Sequence, residues 1–154
     1  MSDYDADFYA WTEQQGALLR RLAAGERVND ADLDWPNIAE EIETLGRSER
    51  GAVASHVTNI IEHLVKLEAS PALDPRAGWK STIRRSRVRV QELLEASPSL
   101  RRLLPELVAR STPPGRRLAE ISLPDHGEVP TVEPQSLTYT PEQVFGEWFP
   151  DEPQ

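Results

Sequence analysis

From Asn37 to about Ala69, apolar residues return every three or four positions: Ile38, Ile42, Leu45, Ala52, Val53, Val57, Ile60, Leu64 and Leu67. That spacing lines one face of an α-helix. A helix of this length reaches on the order of 50 Å at 1.5 Å per residue. Gly46 and Gly51 are the two points where it could bend or break.

The same periodicity recurs on both sides of this segment. Between Asp3 and Ala24, Phe8, Trp11, Gln15, Leu18, Leu19 and Leu22 mark a first helix, with Gly25 at its end. Ser2 or Asp3 can cap its start, with Asp5 and Asp7 in the first turn. Asp34 is a candidate cap for the long second helix, with Pro36 in its first turn. "SPALDPRAG" breaks the chain, and "WKSTIRRSRVRVQELLEA" follows as a third helix, carrying Trp79, Ile83, Val90, Leu93 and Leu94 on one face. Ser97 and Pro98 open a fourth, defined by Leu100, Leu103, Leu104, Leu107 and Val108. After "STPPG" the composition changes, because residues 113–154 hold 8 of the 13 prolines. This reads as an extended acidic arm. One short helix is expected in it at "TPEQVFGEWF", where Thr140 and Gln143 form a capping box around Pro141. Phe145, Trp148 and Phe149 would anchor the arm. The expected fold is a single all-α domain, an antiparallel bundle of four main helices over residues 1–112 with the arm 113–154 packed against it.

A chain of 154 residues suits one domain. It holds no cysteine, which excludes disulfides, thiolate zinc sites, iron–sulfur ligation and a cysteine nucleophile. No stretch approaches the ~20 apolar residues of a membrane span, and the acidic opening "MSDYDADFYAW" is unlike a secretion signal. A cytoplasmic protein is expected, with no membrane contact. The net charge of −9 is unevenly spread. Residues 1–75 carry 6 Lys/Arg against 15 Asp/Glu, residues 76–117 carry 11 against 3, and residues 118–154 carry none against 8. The basic middle is either a nucleic-acid footprint or is neutralised by its acidic flanks, and the overall deficit favours neutralisation.

Several stretches together resemble a bacterial family catalogued as domain of unknown function 29: "YDADFYAWTEQQ", "IAEEIETLGRSER", "HLVKL", "WKSTIRRSR" with "PSLRRLL", and the closing "YTPEQVFGEWFP". They fall in the family's order and cover nearly the whole chain. The resemblance implies an all-α bundle and assigns no activity, cofactor or catalytic residue. The chain departs from the family at "STPPGRRLAEISLPDHGEVP", which puts the length of the fourth helix in question.

On a helical wheel Glu49, His56 and His63 share a stripe with Ile38, Leu45 and Leu67, so three polar groups are expected on the core face. Each is seven residues from the next, about 10 Å along the axis. No two can share one metal ion at ~2 Å ligand distances. Val53 and Ile60 also stand where a di-iron ExxH motif would place glutamates. A metal site would need ligands from elsewhere, such as Glu41, Glu43 or His126 beside His63. The favoured reading is a core histidine bonded to a neighbour such as a tryptophan, with Glu49 paired to an arginine of the third helix. No metal or cofactor is expected.

Two enzymatic alternatives remain. One is a metal-assisted hydrolase using His63 or His56 with a glutamate. The other uses Arg50 and His56, whose spacing resembles the Arg–x–His signature of HEPN endoribonucleases, with the histidine as acid or base and the arginine on phosphate. Those two side chains point about 120° apart on a regular helix, which weakens the match. Glu40, Glu41 and Glu43 read as a solvated helix face. Lys80, Arg84, Arg85, Arg87 and Arg89 are anion or RNA candidates, but on the wheel they split between two sides of the third helix, which suits pairing with acidic neighbours. The reading that leads is a non-enzymatic interaction module whose partner is a protein. A hydrolase and an RNA-contacting protein stand behind it.

Overall fold

The computed structural model describes residues 3–126 and 129–153, the side chain of His126 excepted. The fold is all-α, 77% helical, with no strand among the described residues. The chain forms two compact units, Met1–Ser48 and Glu49–Gln154.

The first unit opens with α1 (Asp3–Ala6) and α2 (Phe8–Ala23). These were expected as one helix capped at Ser2 or Asp3. Ser2 lies outside the described residues, and the cap of α2 is Asp7, whose carboxylate accepts the Ala10 amide at 3.0 Å. An aspartate that satisfies an orphan amide outcompetes helix continuation at that position. Gly25, at φ +79°, closes α2 in the left-handed region that glycine enters without cost. The short unit is tied by polar side chains. Gln15 donates from Nε2 to the Asp32 carbonyl at 3.1 Å, and its Oε1 accepts the Asp34 amide at 2.9 Å. Trp11 donates Nε1–H to Asp34 at 3.1 Å and packs edge-on against Tyr4. Trp11, Gln15 and Leu33 are its buried side chains among the described residues.

Helix α3 (Trp35–Ala69) begins in the first unit and continues without interruption through Gly46 and Gly51 into the second. Two glycines cost about 1 kcal/mol each against alanine, too little to break a 35-residue ladder.

In the second unit, the end of α3 packs with α4 (Arg76–Ala96), α5 (Leu104–Ser122) and α6 (Pro141–Phe145) around Ile60, Ile61, Leu64, Ile83, Leu107 and Val144. The last carbonyls of α3 have no intrahelical donor, and distant residues supply them. The Arg76 guanidinium, 3% exposed, donates to Leu67 O at 2.6 Å, and the Thr131 amide donates to Ala69 O at 2.7 Å. A cation there also meets the negative end of the helix dipole. Helix α5 corrects an expectation. It runs through Pro113 and Pro114 to Ser122, well past the "STPPG" that was expected to end it. The prolines withhold donors only from the carbonyls of Ala109 and Arg110. Both of those residues are exposed, so water can serve the two carbonyls. One turn on, Gly115 lets α5 meet α3: a Cβ there would stand 2.7 Å from Ile61 Cγ2. Ser97 makes no side-chain cap, and Pro98–Leu103 is a 3-10 segment leading into α5. Helix α6 carries the expected Thr140–Gln143 capping box.

Candidate functional site

The three polar groups on α3 do not share one environment. Glu49 is exposed, whereas His56 and His63 are both half-buried. The stripe expected to face the core does not do so along its whole length, because Ile42 and Leu45 are 64% and 68% exposed. Glu49 makes no ion pair with an arginine of α4 among the described residues. The expected core face came from projecting one angle along the whole helix, whereas the buried face of α3 starts only at Val53.

His63 Nδ1 lies 2.8 Å from the Asn59 carbonyl of its own helix, the geometry of an Nδ1–H donor. Among the described residues no tryptophan hydrogen-bonds to it. Beside it, Lys66 Nζ lies 2.7 Å from Glu62 Oε1 in a nearly buried pair. Burial pushes the imidazole below its ordinary range. The Asn59 carbonyl opposes that shift, the Lys66 charge adds to it, and Glu62 opposes it. A neutral imidazole bonded in this way leaves its other ring nitrogen, Nε2, without a hydrogen bond among the described residues.

The remaining candidates are held elsewhere. Arg50 pairs with Glu106 at 3.1 Å. Glu41 accepts the Tyr4 hydroxyl, and Glu40 and Glu43 both face Arg47, at 2.7 and 3.8 Å. The side chain of His126 lies outside the described residues. Among the described residues no three His, Asp or Glu side chains gather closely enough to hold a metal ion.

The C-terminal segment contacts Lys80, Arg84 and Arg87 of α4, and Arg84, Arg85 and Arg89 remain exposed. Arg87 donates Nε–H to Val144 O at 2.8 Å and Nη2–H to the carbonyls of Gln143 and Trp148 at 2.8 and 2.7 Å. Burial, reinforced by the Arg84 charge, pulls its pKa down to about 10, so it remains a cation at neutral pH. Lys80, Arg84 and Arg87 all lie over the Phe149 ring, within 5.7 Å of its centroid. Glu152 lies 2.5 Å from Lys80 and 2.7 Å from Arg76 Nε, the latter off the line of a hydrogen bond. These cations, Lys80 first, hold the Glu152 carboxyl below the usual range. Arg89 pairs with Glu92 at 2.8 Å, and Arg85 is exposed.

The residues that sequence reasoning missed lie in the first unit. Trp35, Ile42 and Leu45, on the opening turns of α3, are 44%, 64% and 68% exposed. Their signal was present in the spacing. Trp35, Ile38, Ile42 and Leu45 follow steps of three, four and three with no second apolar column beside them. At 100° per residue they span an arc of about 80°, the width of a coiled-coil seam and narrower than a core-facing stripe. The unit also holds a cleft of about 480 Å³ lined by Trp11, Gln14, Gln15, Asp32, Asp34 and Asn37. Both polar ends of Gln15 are already bonded within it.

Residues 4–149 match a family described as domain of unknown function DUF29. No curated protein and no solved structure matches the chain.

Proposed function

We propose that this chain, which belongs to the family of domain of unknown function DUF29, is a non-enzymatic protein-interaction module of the bacterial cytoplasm. The observation that carries the reading is the exposed apolar stripe of Trp35, Ile42 and Leu45. Large apolar side chains clustered on one helix face mark an interaction surface more readily than apolar residues scattered singly. Two groups that a hydrolase would need free are engaged in internal pairs: Arg50 with Glu106, and Glu41 with Tyr4. A cysteine-free chain suits a reducing compartment, and among the described residues no helix is long and apolar enough to cross a membrane.

The test is site-specific photocrosslinking in the cells that naturally produce the chain, with the photoreactive residue at position 45 or at position 121. Ile121 is a suitable control because it is 63% exposed and lies on α5, away from the stripe in sequence. A discrete protein adduct from position 45 and none from position 121 is expected. No adduct from position 45 would overturn the reading.

A further inference from the structure

We infer that the stripe on the first half of α3 docks a cationic amphipathic helix of another protein. The inference rests on the interaction reading above and names the class of partner.

Two observations point to that occupant. The first is shape. Trp35, Ile38, Ile42 and Leu45 alternate steps of three and four along α3, and their arc of about 80° suits the a/d seam of a second helix. An extended peptide or a sheet face would not match a row of single knobs one turn apart.

The second observation is charge. Residues 1–48 carry 11 Asp/Glu against 4 Lys/Arg, a net charge of −7, whereas residues 49–154 are near balance at 13 Lys/Arg against 15 Asp/Glu. The acidic excess of the molecule is thus concentrated in the unit that bears the stripe. Asp34 and Glu41 fall beside the stripe on the wheel, and both are half-buried carboxylates that accept hydrogen bonds within the unit. A second copy of this chain would bring two units of charge −7 together, which like-charge repulsion opposes. A helix with leucines on one face and lysines or arginines on the other matches the seam and the field.

The test uses the full chain and two synthetic 18-residue helices with the same leucine face, one with lysine and the other with glutamate on its polar face. Binding is read by fluorescence anisotropy. The lysine probe is expected to bind at least tenfold more tightly than the glutamate probe and to weaken as salt rises. A double variant, Ile42→Ser with Leu45→Ser, is expected to lose at least tenfold for the lysine probe while its helical content is unchanged. Ile121→Ser is expected to bind as the parent does. Equal binding of the two probes overturns the inference, as does an equal loss in Ile121→Ser. Sedimentation as a dimer that Leu45→Ser dissolves would also overturn it, by making the occupant a second copy. An adduct at position 45 combined with failure here would sink the named partner and leave the interaction reading intact.

Discussion

The two halves of α3 are built from similar residue types and meet opposite environments. Between Trp35 and Ser48 no side chain is buried, whereas between Val53 and Ala69 nine are. The difference lies in angular width. Val53, Val57, Ile60, Ile61, Leu64, Val65 and Leu67 sweep roughly 160°, against about 80° for the apolar residues of the first half. A wide arc touches two neighbours at once, and here α4 and α5 both pack on it. A narrow seam serves one helix. A single period of 3.6 residues can therefore leave one half of a helix buried in a core and the other half exposed.

Truncation of the two halves should break the comparison most clearly. Leu64 is fully buried, and Leu64→Ala is expected to cost about 2–5 kcal/mol of stability. Leu45→Ala removes the same atoms from a site 68% exposed and should change stability by less than about 0.5 kcal/mol. Chemical unfolding of both variants gives the contrast directly. Comparable losses would mean that Leu45 is buried in the free protein, and the seam would not be available to a partner.

Glycine substitutions sharpen the contrast with effects of opposite sign. Gly46, in the first half, has nothing within 4 Å of the position a Cβ would take. Alanine there should stabilise by about 0.5–1 kcal/mol through helix propensity alone. Gly115 faces the second half, where a Cβ would meet Ile61 Cγ2 at 2.7 Å and the Glu62 amide nitrogen at 3.2 Å. Because one obstacle is backbone, α5 must move, and Gly115→Ala is expected to cost about 1–3 kcal/mol. Shifts in thermal midpoint of the same sign for the two variants would contradict this account.

Much of the helical framework was legible in the sequence because it is written in local signals. The long periodicity of α3, the capping box at Thr140 and the breaker before α4 each act within a few residues. The continuation of α5 through Pro113 and Pro114 was not legible, since it depends on the carbonyls of Ala109 and Arg110 facing water and on Gly115 meeting Ile61. The candidate site was harder still. A wheel reports which residues share a face, but not where along a helix that face gains a neighbour. Ile42 and Leu45 were thus assigned to a core that begins only at Val53. The arm's grip on Arg87 was beyond a wheel too, because it is made by three backbone carbonyls, and these have no sequence identity.

The smallest effect concerns the one buried half of α3 that also holds a titrating group. The imidazole of His63 binds its proton below the ordinary range in the folded chain, chiefly through burial, whereas in the unfolded chain it titrates near 6.5. Above about pH 7.5 both states are neutral there, and His63 contributes no pH dependence. As pH falls through 6.5 the unfolded state takes up a proton that the folded state refuses, so stability falls, and the loss levels off once the folded imidazole also protonates. His63→Gln should therefore flatten part of the decline in denaturant midpoint between pH 7.5 and 5, leaving the parent's remaining slope to its carboxylates. If the two slopes coincide, the imidazole is as accessible to protons in the folded chain as in the unfolded one, and the second half of α3 would be more open around Asn59 and Glu62 than its neighbours Ile60 and Leu64 indicate.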